Sequence, residues 1–79
     1  MEEIVKVATL ENEIEAELLA SVLRELGIPH SIKSYHDAVY NGIFQLQRGW
    51  GFIEAPLSYK EKILEILSDI RKQEHPLEN

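Results

Sequence analysis

Cysteine is absent from this 79-residue chain, which excludes disulfides and thiolate-bound zinc or iron–sulfur clusters. A chain without thiols suits a reducing cytoplasm, the compartment expected for it. Also missing is any apolar run near the roughly 20 residues of a membrane span. Met1-Glu2-Glu3-Ile4-Val5 has neither the basic segment nor the apolar stretch of a signal peptide, so none is expected. Basic residues are scarce: eight against fourteen acidic ones leave a net charge of −6. Nucleic acid requires the opposite sign, and no Lys/Arg cluster supplies it locally. No Gly-Lys-Ser/Thr or Gly-x-Gly-x-x-Gly loop occurs to cradle a phosphate.

What is present is the make-up of one globular domain, with 44% hydrophobic and 28% charged residues. At this size core burial contributes about 3–5 kcal/mol net, and disulfides, metal or a second subunit often add the rest. With no disulfide and no metal expected, a homodimer is the natural source. A single domain over 1–72 is expected, followed by a frayed tail at 73–79.

Asn12 to Pro29 writes a whole helix with both ends marked. Asn12 is a good N-cap, and Glu15 three positions on completes a capping box. Apolar residues at 14, 18, 19, 22, 23 and 26 have helical spacing and predict one buried face. Gly27 suits the left-handed position beyond the helix, Ile28 can fold back on the last turn, and Pro29 forbids continuation. Residues 3–9 read as a strand with Val5 and Val7 on one face and Ile4, Lys6 and Ala8 on the other. Residues 28–35 read as a second strand and 50–55 as a third, closed by Pro56. A last helix is expected from Ser58, its capping box completed by Glu61. Its apolar face is Tyr59, Ile63, Ile66, Leu67 and Ile70 with Leu64 at the flank. It fades through Arg71 and Lys72, whose charge suits a helix C-terminus.

The order is β-α-β-β-α. A right-handed helical crossover makes strands one and two parallel. Strand three then fits between them, antiparallel to both, with both helices on one face. The expected class is α+β: a ferredoxin-like three-stranded antiparallel sheet, strand order 1-3-2, lacking its fourth strand. The missing strand leaves the edge Ile4, Val5, Lys6, Val7 and Ala8 unpaired, and exposed edges invite pairing with another chain.

Five of the six aromatics fall between 35 and 52. Tyr, Trp and Arg dominate binding hot spots because they join large area to a polar tip. Trp50 and Phe52 read as strand core, with Tyr35 packed at a strand end. Tyr40, Phe44 and Arg48 read as contacts to a partner, a second subunit included. Residues 43–47 form either a flap or a small extra strand. His36-Asp37 has the residue types of a base with its carboxylate or of two metal ligands. Adjacent residues rarely aim at one point, however, and no nucleophile or third ligand is suitably spaced. The candidate binding set is His36, Asp37, Tyr40, Phe44, Arg48 and Trp50; no catalytic residue, metal ligand or cofactor is expected. Glu11, Glu13, Glu15 and Glu17 suit the positive helix N-terminus, and form an acidic face that a basic partner would fit.

Through Asn12-x-Ile14-Glu15-Ala16-Glu17-Leu18-Leu19, Leu23 to Pro29, and the strand-then-helix at 50–70, the chain resembles a family of small prokaryotic signal-transducing domains of unknown function. The likeness spans about residues 3–70, with Glu13 where the family commonly has Pro. That family is itself likened to PII-type nitrogen regulators, which share the strand and helix order. In those regulators the loop between strands two and three contacts partners, and here it corresponds to 36–49. A PII-like nucleotide site needs a Gly-rich, Lys-bearing loop after strand three, whereas this chain has Ala55-Pro56-Leu57-Ser58. ATP binding is therefore not carried over. The likeness bears on fold more than on activity. The loop itself, with no phosphate or carboxylate clamp and Arg48 its only cation, leads to the expectation of a non-catalytic regulatory domain that binds a protein through it. The alternative is a sensor of an uncharged or aromatic small molecule held between loop and sheet.

Overall fold

The computed structural model describes residues 2–35 and 49–74. Strand β1 (Ile4–Leu10) leads through a two-residue link into helix α1 (Glu13–Leu26), followed by β2 (Ser31–Ser34) and β3 (Gly51–Pro56). A 3-10 turn, Leu57–Tyr59, then passes into helix α2 (Lys60–Glu74). Strand β3 lies between the other two and runs antiparallel to both. The result is a three-stranded α+β fold, compatible with the ferredoxin-like layout expected from the order of elements.

Both ends of α1 follow from its residues. The Asn12 side chain accepts from Glu15 N–H at 2.8 Å, satisfying one orphan amide of the first turn. At the far end Gly27 takes φ 72°. Its N–H reaches the Arg24 carbonyl at 3.2 Å while Ile28 N–H reaches Leu23 at 2.9 Å. That pair of bonds is a Schellman ending, and it turns Ile28 into the core at 8% exposure.

Helix α2 begins differently from the expectation. Ser58 is not an N-cap: it lies inside the 3-10 turn, and Pro56 precedes the turn with no side-chain cap. The Glu2 carboxylate accepts the Ser58 N–H instead, and the Glu3 carbonyl accepts from Leu57 N–H at 2.9 Å. The chain start thus supplies the cap that a local side chain was expected to give.

The core is Leu10, Leu19, Leu23, Ile53, Ile63 and Leu67, with Val7, Ala16, Ile28, Ala55 and Ile70 around them. Along β3, Gly51, Ile53 and Ala55 are buried while Phe52, Glu54 and Pro56 are half-buried. One sheet face therefore meets the helices, and among the described residues no element covers the other, the alternation expected of a half-buried strand.

Two face assignments differ from the sequence reading. In β1 the pairing with β3 shifts between Lys6 and Ala8, leaving Val7 as a bulge. A one-residue insertion reverses the alternation beyond it. Ala8 therefore pairs with Ile53, on the same side as Val5 opposite Ala55, and no longer shares a face with Ile4 and Lys6. In α1 the buried arc is Glu15, Ala16, Leu19 and Leu23. Ile14, Leu18 and Leu26, expected inside, are exposed.

Candidate functional site

The excursion between β2 and β3 springs from one end of the sheet. Tyr35 N–H donates to the Trp50 carbonyl at 2.9 Å, clasping its two roots, and Trp50 N–H donates to the Leu10 carbonyl at 2.8 Å. Of the expected contact residues, His36, Asp37, Tyr40, Phe44 and Arg48 lie outside the described residues, as does the segment 43–47. Trp50 is half-buried and packs against the core, the alternative to a contact role that its strand position suggested.

Beside these roots the sheet face away from the helices carries an aromatic cluster. The Tyr35 and Phe52 rings stand 5.6 Å apart, tilted by 32°. Lys6 Nζ lies 5.5 Å from the Phe52 ring centre and donates to the Tyr35 hydroxyl at 3.5 Å. Lys33, paired in register with Phe52, makes an ion pair with Glu54 at 3.5 Å. The face thus joins apolar ring surface to two ammonium groups in a chain that is acidic as a whole. The sequence reading took Phe52 as core and Lys6 as part of the β1 edge, and did not connect the two. The signal for this grouping was register: Lys6, Lys33 and Phe52 share a face only once β3 sits between β1 and β2.

Around the sheet edge, Ala8, Thr9, Glu11, Gly49 and Arg71 line an open cleft of about 620 Å³. Gly49 is required in its wall. Its φ is +92°, and a Cβ there would stand 2.7 Å from Thr9 Cγ2 and 2.8 Å from the Leu10 carbonyl oxygen. A smaller, mostly apolar hollow of about 290 Å³ is lined by Ile4, Pro29, His30, Ser31, Glu54, Ala55 and Pro56. His30 Nδ1 sits 2.9 Å from the Ile28 carbonyl, a local contact.

The cleft's charged wall is held by a pair that the sequence reading did not connect. The Glu15 carboxylate, 1% exposed, accepts from Arg71 Nε at 2.8 Å and from Arg71 Nη2 at 3.1 Å. It also accepts Glu11 N–H at 2.8 Å, one residue beyond the amide that a capping box would reach. Arg71 Nη2 further donates to the Thr9 carbonyl at 2.9 Å. The Arg71 hydrogen bonds hold the Glu15 pKa below its usual value; burial opposes them, and the Glu11 amide and the Arg71 charge add to the lowering. One guanidinium therefore ties α2 to α1 and to β1.

This bears on the edge expected to pair with a second chain. Ile4 is exposed and Val5 and Ala8 are half-buried, but Val7 is a buried bulge, and Arg71 occupies the Thr9 carbonyl beyond it. Bulges and covered ends are devices that limit edge-to-edge pairing. Among the described residues β1 pairs with β3 alone, and Ile4–Lys6 is the part of its edge before the bulge.

Among the described residues no group of three or more His, Asp or Glu could hold a metal ion. Among the same residues no helix is long and apolar enough to cross a membrane. Comparison with protein-family models, curated proteins and solved structures gave no match.

Proposed function

We propose that this chain is a non-catalytic interaction and regulatory module that binds a protein partner through the excursion between β2 and β3. The observation that carries the reading is the Tyr35–Trp50 clasp. It fixes the two roots of the excursion beside Phe52 and Lys6, which supports a reading in which a partner gripping residues 36–49 also meets this aromatic and cationic face. The resemblance to prokaryotic signal-transducing domains points the same way, and with it the proposal extends to a cytoplasmic homodimer using the Ile4–Lys6 edge. No cofactor enters this reading. Replacing Tyr40, Phe44 and Arg48 together by Ala tests it. Thermal unfolding of the triple variant should match the parent while capture of partners from the native cell is lost. Severe unfolding would assign the three side chains to the core and remove the proposal.

A second reading rests on the cleft of about 620 Å³ at the root of the excursion, within the size range of small-molecule sites. Here the chain senses an uncharged or aromatic compound between the excursion and the sheet. A metabolite that raises the melting temperature by several degrees, and does so less in Thr9→Arg, which narrows the cleft, favours the sensor. A response indifferent to Thr9 counts against it.

A further inference from the structure

Helix α1 presents two parallel rows to solvent. One is Ile14, Leu18, Val22 and Leu26, spaced by four residues along an i±4 ridge. Ile14 is 67% exposed, Leu18 45% and Leu26 55%, while Val22 is half-buried. The next row is Glu13, Glu17, Ser21 and Glu25, all exposed. The helix's own core contact is complete without either row, since Ala16, Leu19 and Leu23 carry it. Four large apolar side chains in line, about 18 Å long at 1.5 Å per residue, form the kind of ridge that seats in a groove of another helix.

We propose that this ridge docks a basic amphipathic helix of a partner protein, whose apolar stripe covers Ile14, Leu18 and Leu26 and whose Lys or Arg residues face Glu13, Glu17 and Glu25. Charge selects the occupant. Arg24 is the only base on α1, and Glu15 is neutralised by Arg71 from behind. A second copy would bring the same acidic row against this one, and an anionic membrane would be repelled by it. The ridge shares no residue with the excursion or the sheet face, so the two proposals stand or fall independently.

The test uses the full chain and two synthetic helical peptides of ~18 residues with identical Leu/Ala stripes, one flanked by Lys and the other by Glu. The Lys-flanked peptide should bind, should weaken as salt rises, and should shift backbone amides of α1 in the NMR spectrum. Leu18→Gln with Ile14→Gln, or Glu13→Lys with Glu17→Lys, should each weaken it by about tenfold or more. Because all four positions are exposed, the chain should stay folded. The glutamine pair should hold the melting temperature, and the lysine pair should lower it only by the few degrees that reversed charge at a helix N-terminus costs. Replacing residues 36–48 by a short linker should leave binding intact. Equal binding of both peptides, no binding at millimolar concentration, or binding unaffected by these variants would overturn the proposal. So would a homodimer that Leu18→Gln dissociates, or Leu18-dependent uptake onto anionic vesicles.

Discussion

Glu15 serves at once as a helix N-terminal acid, a buried group and half of an ion pair. A buried carboxylate is costly unless it is paired and hydrogen-bonded, and Arg71 with the Glu11 amide provides this. Arg71→Met should therefore cost about 3 kcal/mol, the low end for a broken buried pair because the Arg71 side chain is 39% exposed. In a domain of this size that approaches the whole net stability, and chemical denaturation would measure it. The pH dependence follows from the lowered Glu15 pKa. A carboxyl whose folded pKa is depressed adds stability that is complete above its unfolded pKa and is lost as pH falls through the folded value. Glu15→Gln should thus be less stable than the parent at neutral pH, with the gap closing in acid. A constant gap would show that the charge plays no part. The glycines give a second contrast at this scale. Gly27→Ala meets no neighbouring atom and should cost about 1 kcal/mol through its positive φ. Gly49→Ala adds collisions with Thr9 and Leu10 and should cost about 2 kcal/mol or more. Equal costs would contradict the wall that Gly49 forms.

At the scale of elements, the termini of α1 were legible because capping is local: Asn12, Gly27, Ile28 and Pro29 act within one turn of the ends they mark. The buried face was not. Apolar spacing admits several overlapping arcs, and the one chosen places Glu15 inside because Arg71 waits there. The α2 arc of Ile63, Leu67 and Ile70 was readable, with Leu64 at its flank 37% exposed, since every core residue that this helix contributes is apolar. Strand β1 was readable as a strand but not in its phase, because the bulge at Val7 depends on pairing with β3. The edge supports one prediction. If Ile4–Lys6 joins a second chain, sedimentation of the parent should show a dimer, and Val5→Pro should give a monomer or an unfolded chain. A native monomer would end that idea.

For the molecule as a whole, the order β1-β3-β2 brings together what the chain keeps apart. Lys6, Lys33 and Phe52 meet on one face, and Thr9, Gly49 and Arg71 meet around one cleft. Lys6→Ala and Phe52→Ala should each leave the helix-covered core intact, because neither belongs to it. Under the proposed function each should weaken partner capture, with melting temperature as the control; unaltered capture in both would confine recognition to the excursion. The element order, the sheet topology and both ends of α1 were set by the sequence alone, because capping, crossover handedness and alternation are short-range rules. The start of α2, by contrast, is held by Glu2 and Glu3 from the far end of the chain. The Glu15–Arg71 tie, the bulge phase and the aromatic face were decided only by tertiary structure. Each joins groups from different elements, and no local spacing encodes which of them will meet.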